Sequence, residues 1–287
     1  MQPAEQSLET HQAPFRVPLV VGVSGHVDIG NPEFVKEKLQ LFWDTIRGSV
    51  GKDAPIILLT SIAKGADHLA AISCPENVRY CVVLPFAEAE YRKDFTEPPQ
   101  ALEDFENDLR GAYRVIACEA EPGDYAAASD YVREHCDILL TMWDGWESLE
   151  KTKPEDSTSE RKSLQRKPAR GGTYYQIRAA FGLDDLTQHR EKKHLVVNIA
   201  VARSDKGLAY HRMNNEKPIC DFSKGSGLSL LSWNEGRQEM EFFSDFSERT
   251  TDFLQREVMR SGKSLPANEM ISEIVTMQTS GREPKVR

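Results

Sequence analysis

The stretch Val17-Pro18-Leu19-Val20-Val21-Gly22-Val23-Ser24-Gly25-His26 is apolar through Val23 and then breaks into a small-residue turn. An apolar run with no polar alternation has no solvent face, so it reads as a strand buried on both sides of a parallel sheet. Five more such runs follow, near Ile56–Ser61, Arg79–Leu84, Arg114–Cys118, Cys136–Met142 and His194–Val201. Between the first two, Asn31-Pro32 offers an N-cap and a proline suited to the first helical position. Val35, Leu39, Phe42 and Ile46 then recur at spacings of four, three and four, which is one face of a helix. Further helical stretches fall at Ala66–Ile72, about Ala101–Gly111, Tyr125–His135 and Tyr174–Gly182. This β-α alternation predicts a doubly wound, mostly parallel α/β sheet of Rossmann-like topology with helices on both faces.

Three strand ends carry turns of small residues: Ser24-Gly25-His26, Lys64-Gly65-Ala66-Asp67, and Gly171-Gly172-Thr173 ahead of the helix at 174–182. Glycine lets backbone N–H groups come close to an anion, a helix start adds unpaired donors and partial positive charge, and a threonine hydroxyl adds one more bond. Ligands of open α/β sheets sit outside the carboxyl ends of the strands, so the three turns suggest one crevice. Asp144, at the end of the fifth run and before Gly145, is a candidate for a sugar contact, and Arg92, after Leu84-Pro85-Phe86, for a phosphate. Each has a plainer role: Gly25 and Gly65 as tight turns, Asp67 and Asp144 as caps, His26 as a turn residue, Arg92 as a solvated helix arginine. Trp143, Trp146, Tyr174 and Tyr175 are candidates to stack on a base.

The chain has 287 residues, a net charge of −9 and a pI near 5.4. That excludes a general nucleic-acid binder, whose affinity rests on a field of Lys and Arg. Cys74, Cys81, Cys118, Cys136 and Cys220 are odd in number, scattered and without metal-type spacing, as expected of reduced thiols in a cytoplasmic protein. His189 and His194 lack further ligands and do not make a metal site. Neither a metal nor a cofactor is expected, and no run reaches the ~18 apolar residues of a membrane helix. The expected organisation is a disordered tail over 1–15, one domain over 16–262 and an extension over 263–287. Within the domain we expect a mobile insertion at 146–170 with five basic residues in its second half, an irregular region at 202–234 and a long helix at 235–260.

Val21-Gly22-Val23-Ser24-Gly25-His26, Leu59–Asp67, Leu84-Pro85-Phe86 with Glu90–Phe95, Asp137–Gly145 and Gly171-Gly172-Thr173 together resemble the SLOG superfamily. That group of Rossmann-like domains includes LOG-type phosphoribohydrolases, the DNA-processing protein A fold and nucleotide-sensing domains of channels and bacterial defence systems. The resemblance spans about 16–201. It implies a nucleotide or nucleotide-derived signalling ligand, with Ser24, Gly25 and His26 lining a first turn, Lys64, Gly65 and Asp67 a second, and Gly171, Gly172 and Thr173 holding phosphate. Asp144 and Gly145 would close the pocket floor. Homo-oligomers and an effector protein are the implied partners. One departure bears on activity: LOG-type hydrolases follow their glycine-rich turn with glutamates, whereas this chain reads Thr173-Tyr174-Tyr175-Gln176. Acid–base work at an N-glycosidic bond needs a carboxylate near the sugar. Sensing without turnover is therefore the expectation. The alternatives are a LOG-like phosphoribohydrolase that uses Asp144, Asp67 or Glu90 instead, and an assembly module with a vestigial pocket.

Overall fold

The computed structural model describes residues 18–51, 54–147, 170–183, 194–203, 218–222 and 227–254. Eight strands form one sheet: β1 (Leu19–Gly25), β2 (Ile56–Thr60), β3 (Arg79–Leu84), β4 (Arg114–Ala117), β5 (Ile138–Trp143), β6 (Leu195–Ala200), β7 (Leu228–Asn234) and β8 (Glu239–Phe243). Their order is β4-β3-β2-β1-β5-β6-β7-β8. The first six are parallel, and β7 and β8 add an antiparallel hairpin at the β6 edge. The chain leaves β1 toward β2 and leaves β5 toward β6, so the winding reverses between β1 and β5. This is the doubly wound α/β fold that the alternating pattern predicts.

The helices are α1 (Pro32–Val50), α2 (Ala66–Ile72), α3 (Glu88–Tyr91), α4 (Pro99–Gly111), α5 (Ala126–His135), α6 (Thr173–Ala180) and α7 (Phe246–Phe253). Strand residues alternate between two faces. Leu19, Val21 and Val23 of β1 pack with Val35, Leu39, Phe42 and Ile46 of α1, together with Phe246 at the start of α7. Val20, Leu139 and Trp143 pack on the opposite face with Val132 of α5 and Ile177 of α6. Among the described residues no helix is long and apolar enough to cross a membrane.

Two expectations at the C-terminal side are corrected. Where a long helix was expected over 235–260, the described part through 254 is instead β8 followed by the short α7, and 255–260 lie outside the described residues. Asn234 Oδ1 accepts the Arg237 amide at 3.0 Å and Gln238 takes a positive φ of 54°, which turns the chain back so that Met240 pairs with Trp233 and Phe242 with Leu231. The apolar residues of this stretch satisfy a period of two through 243 and only then a helix, an ambiguity inherent in short apolar runs. The region 202–234, expected to be irregular, contains β7, whose Leu228, Leu230 and Leu231 are buried. The tail at 1–15, most of the insertion at 146–170 and the extension at 263–287 lie outside the described residues.

Candidate functional site

The end of β1 is fastened from both sides. The His26 amide donates to the Met142 carbonyl of β5 at 3.1 Å, and the His26 carbonyl accepts the Ala66 amide at the start of α2 at 3.0 Å. This clamp carries the His26 side chain to the point where the winding reverses. There its Nε2 donates to Asp144 Oδ1 at 2.9 Å, and the Arg203 Nε donates to Asp144 Oδ2 at 2.5 Å. The Trp146 amide adds a bond to Oδ1 at 3.1 Å. Asp144 follows β5, His26 follows β1 and Arg203 follows β6, so three adjacent strand ends contribute one side chain each.

All three side chains are nearly shielded from solvent, at 8% exposure for His26, 4% for Asp144 and 13% for Arg203. Burial alone would raise the Asp144 carboxyl. The hydrogen bonds and charges of His26 and Arg203 outweigh it and hold the carboxyl below its ordinary value, so Asp144 is a fixed anion. A carboxylate only accepts, so the His26 Nε2 carries the proton it shares, and its Nδ1 has no hydrogen-bond partner among the described residues. Arg203 Nη2 is buried and unpartnered among the described residues, a donor that a ligand oxygen would satisfy.

The glycines divide into two kinds. Gly65 has φ +79°, and a side chain there would press on the His26 carbonyl at 2.5 Å and on Val27 at 2.6 Å. Gly145 has φ +87° and lies directly under the Cys220 carbonyl, while its own carbonyl accepts the Ile219 amide at 2.7 Å. At Gly25 a Cβ would overlap that of Ala66. These three are glycine because a Cβ has no room: backbone crosses Gly65 and Gly145, and the Ala66 and Met142 side chains crowd Gly25. Gly171 is not of this kind, and Gly172 beside it does not share the left-handed backbone of Gly65 and Gly145. Neither has a positive φ, Gly172 sits at φ −79° and ψ 148°, and a Cβ on Gly171 would meet nothing nearer than Ala126 at 3.6 Å.

Ala126 is the first residue of α5 and Thr173 the first of α6, so two helix N-termini meet at Gly171. Among the described residues no side chain caps either one. Arg170, adjoining Gly171, is held by Asp130 of α5 through its Nε at 3.0 Å and its Nη2 at 2.7 Å. Gln176, fully buried, donates to Asp130 and to the Arg170 carbonyl and accepts from Arg133 Nε. That network welds the start of α6 to α5. The Tyr174 ring stacks on Trp143 at 5.6 Å, which brings the first turn of α6 to the end of β5, next to Asp144.

The remaining expected residues are accounted for otherwise. Asp67 is buried, and its Oδ1 accepts from Thr60 Oγ1, the Ser61 amide and Ser61 Oγ, each at 2.9 Å. Burial raises its carboxyl despite those bonds, and it serves the turn that carries it. Lys64 donates to the Glu97 carbonyl at 2.7 Å. The Arg92 guanidinium is taken up by Glu88 and Glu106. Ser24, 8% exposed, lies on β1 itself. Tyr174 and Trp143 satisfy each other in the core and are not free to stack on a base, whereas Trp146 lines a cavity beside Asp144. Sequence reasoning missed Arg203 because no turn signal marks it. Its position directly after the sixth apolar run was the available sign.

No protein-family model matches the chain, and no curated protein matches it.

Proposed function

We propose that the protein binds a nucleotide or nucleotide-derived signalling ligand, as a sensor domain of the SLOG kind, with phosphate at Gly171-Gly172-Thr173. The observation that carries this reading is the contrast between its glycines. Gly25, Gly65 and Gly145 are demanded by packing, but Gly171 is not, and it stands where the starts of α5 and α6, uncapped among the described residues, converge. Small residues at a place the fold could fill leave room for something outside the fold. Two helix N-termini there make that something an anion. The location supports the same reading, because the winding of the sheet reverses at the adjoining ends of β1 and β5.

Turnover is disfavoured by the state of the carboxylates that would have to perform it. Asp144 is bonded on both oxygens, Asp67 is spent inside its own turn, and Glu90 pairs with Lys93 at 2.5 Å. Gln176 stands in the first turns of α6 and is fully engaged with Asp130 and Arg133. Among the described residues these candidate carboxylates are thus engaged elsewhere, and none of them stands free to act on a ribosyl centre at the phosphate turn.

The test begins with mass spectrometry of small molecules released on denaturing the purified protein. Calorimetric titration with ribose 5-phosphate, the four nucleoside monophosphates and ADP-ribose follows. Binding should raise the melting temperature, and Gly172→Val, whose backbone angles suit valine, should remove binding while leaving the unliganded melting temperature within a few degrees. Unchanged affinity in Gly172→Val would show the phosphate placement to be wrong. Release of ribose 5-phosphate from a monophosphate would instead establish the hydrolase alternative.

A further inference from the structure

Beside Asp144, on the side toward α1, lies a cavity of about 490 Å³, within the size range of small-ligand sites. It is bounded by the start of α1, the segment after β6, residues 218–222 and the start of β7. Its walls carry the rings of Phe34, Trp146 and Phe222 with Val201 and Pro218. Phe222 is braced edge-on by Trp143 at 5.8 Å and by Phe242 at 5.2 Å, so this wall is fixed before any ligand arrives.

The polar groups of the cavity define what fits. Among the described residues that line it none is basic, and two, Asp144 and Asp221, are acidic, so a phosphate would be repelled. The Asp144 charge is already balanced by Arg203 and its other oxygen is bonded by His26, and Asp221 is likewise engaged, so neither acid calls for a cation. Asn31 is the remaining polar side chain. Its Oδ1 accepts the Ala202 amide at 3.1 Å, which fixes the orientation of the amide and leaves Nδ2–H₂ unclaimed among the described residues. An aromatic chamber with one oriented amide donor suits a flat, uncharged ring bearing an acceptor.

We infer that this cavity takes the nucleobase of the ligand, with Asn31 donating to a ring acceptor, while the phosphate lies across Asp144 at the start of α6. This rests on the nucleotide-binding reading above. The inferred span is short in chain terms: Asp144 belongs to the cavity wall, and the preceding residue, Trp143, stacks on Tyr174 of α6.

The experiment compares ribose 5-phosphate with the nucleoside monophosphates in wild type, Ala202→Trp and Asn31→Ala. Ala202 lines the cavity and is exposed, so tryptophan there fills the chamber from its rim. The expected result is that wild type binds at least one monophosphate about 10- to 100-fold tighter than ribose 5-phosphate. Ala202→Trp should erase that preference without changing the affinity for ribose 5-phosphate, and Asn31→Ala should reduce it several-fold. Unchanged ribose 5-phosphate binding doubles as the proof of folding in both variants. A preference that survives Ala202→Trp, or a wild type that binds ribose 5-phosphate as tightly as every monophosphate, overturns the base site and leaves the phosphate site standing. A wild type that binds no probe overturns both.

Discussion

Among the described residues two histidine–aspartate pairs have nearly the same length and different settings. His26 Nε2 meets Asp144 Oδ1 at 2.9 Å between two strand ends, and His68 Nδ1 meets Asp108 Oδ2 at 2.7 Å between α2 and α4. Both aspartates are buried, at 4% and 6% exposure, so both face the same opposing force of desolvation. The outcomes differ in sign. Burial raises the Asp108 carboxyl against the pull of His68, with the Asp104 charge adding to the rise. In Asp144 the Arg203 guanidinium joins His26, and the carboxyl falls below its ordinary value. One histidine does not offset the burial of a carboxylate here, whereas a histidine and an arginine together do.

Removing the carboxylates gives the largest expected separation. Asp144→Ala strands Arg203 and His26 in a shielded place, at a cost of about 3–5 kcal/mol, the scale for breaking a buried pair by removing one partner. Asp108→Ala leaves only a partly exposed His68, which can turn to solvent, and should cost about 1–2 kcal/mol. Urea unfolding of both variants measures the difference. Equal losses would mean that Arg203 adds nothing to the first pair, and the comparison would fail.

The pH dependence of stability sharpens the second pair. The hydrogen bond to Asp108 raises His68 above its ordinary value of 6.5; burial opposes this, and the charges of Asp108 and Asp104 reinforce it while Lys36 opposes. A histidine raised on folding contributes stability that is fully present below 6.5 and is lost as pH rises through its higher folded value. The His68 contribution to unfolding free energy should therefore decline between pH 6 and pH 9, and His68→Gln should flatten that slope. A slope that persists in His68→Gln assigns the titration elsewhere.

The comparison also marks what a sequence can say about such a molecule. Strand positions are local facts, written in runs like Leu19–Val23 and Ile138–Trp143, and the order of runs and helices is enough for the doubly wound sheet. The hairpin β7-β8 was less legible, because Met240, Phe242, Phe243 and Phe246 serve two periods at once. At the site, His26 and Asp144 were both conspicuous as turn residues, yet their bond joins positions 118 apart and depends on β5 lying beside β1, which nothing local states. The same turn chemistry at Lys64-Gly65-Ala66-Asp67 closes on itself, with Asp67 bonded to Thr60 and Ser61. Residue types at a strand end are identical in the two cases. Only the neighbour in the sheet separates an aspartate that serves its own loop from one that organises three strand ends.

Arg92 supplies the smallest expected effect and tests the limit of that lesson. It was conspicuous as a basic residue in the segment after the third strand, but its guanidinium bonds to Glu88 and Glu106 with 42% of the side chain in solvent. Both partners are comparably exposed, at 45% and 39%, so water screens the attraction that holds them. Exposed pairs of this type contribute about 0–1 kcal/mol. Arg92→Ala should change unfolding free energy by no more than about 0.5 kcal/mol and should leave ribose 5-phosphate affinity as in wild type. The two carboxylates explain why: a phosphate approaching Arg92 would have to displace two anions already seated on it, whereas at Gly171 no side chain among the described residues caps the helix starts. A tenfold loss of affinity in Arg92→Ala would return this arginine to the phosphate site and would show that the third strand end takes part in binding.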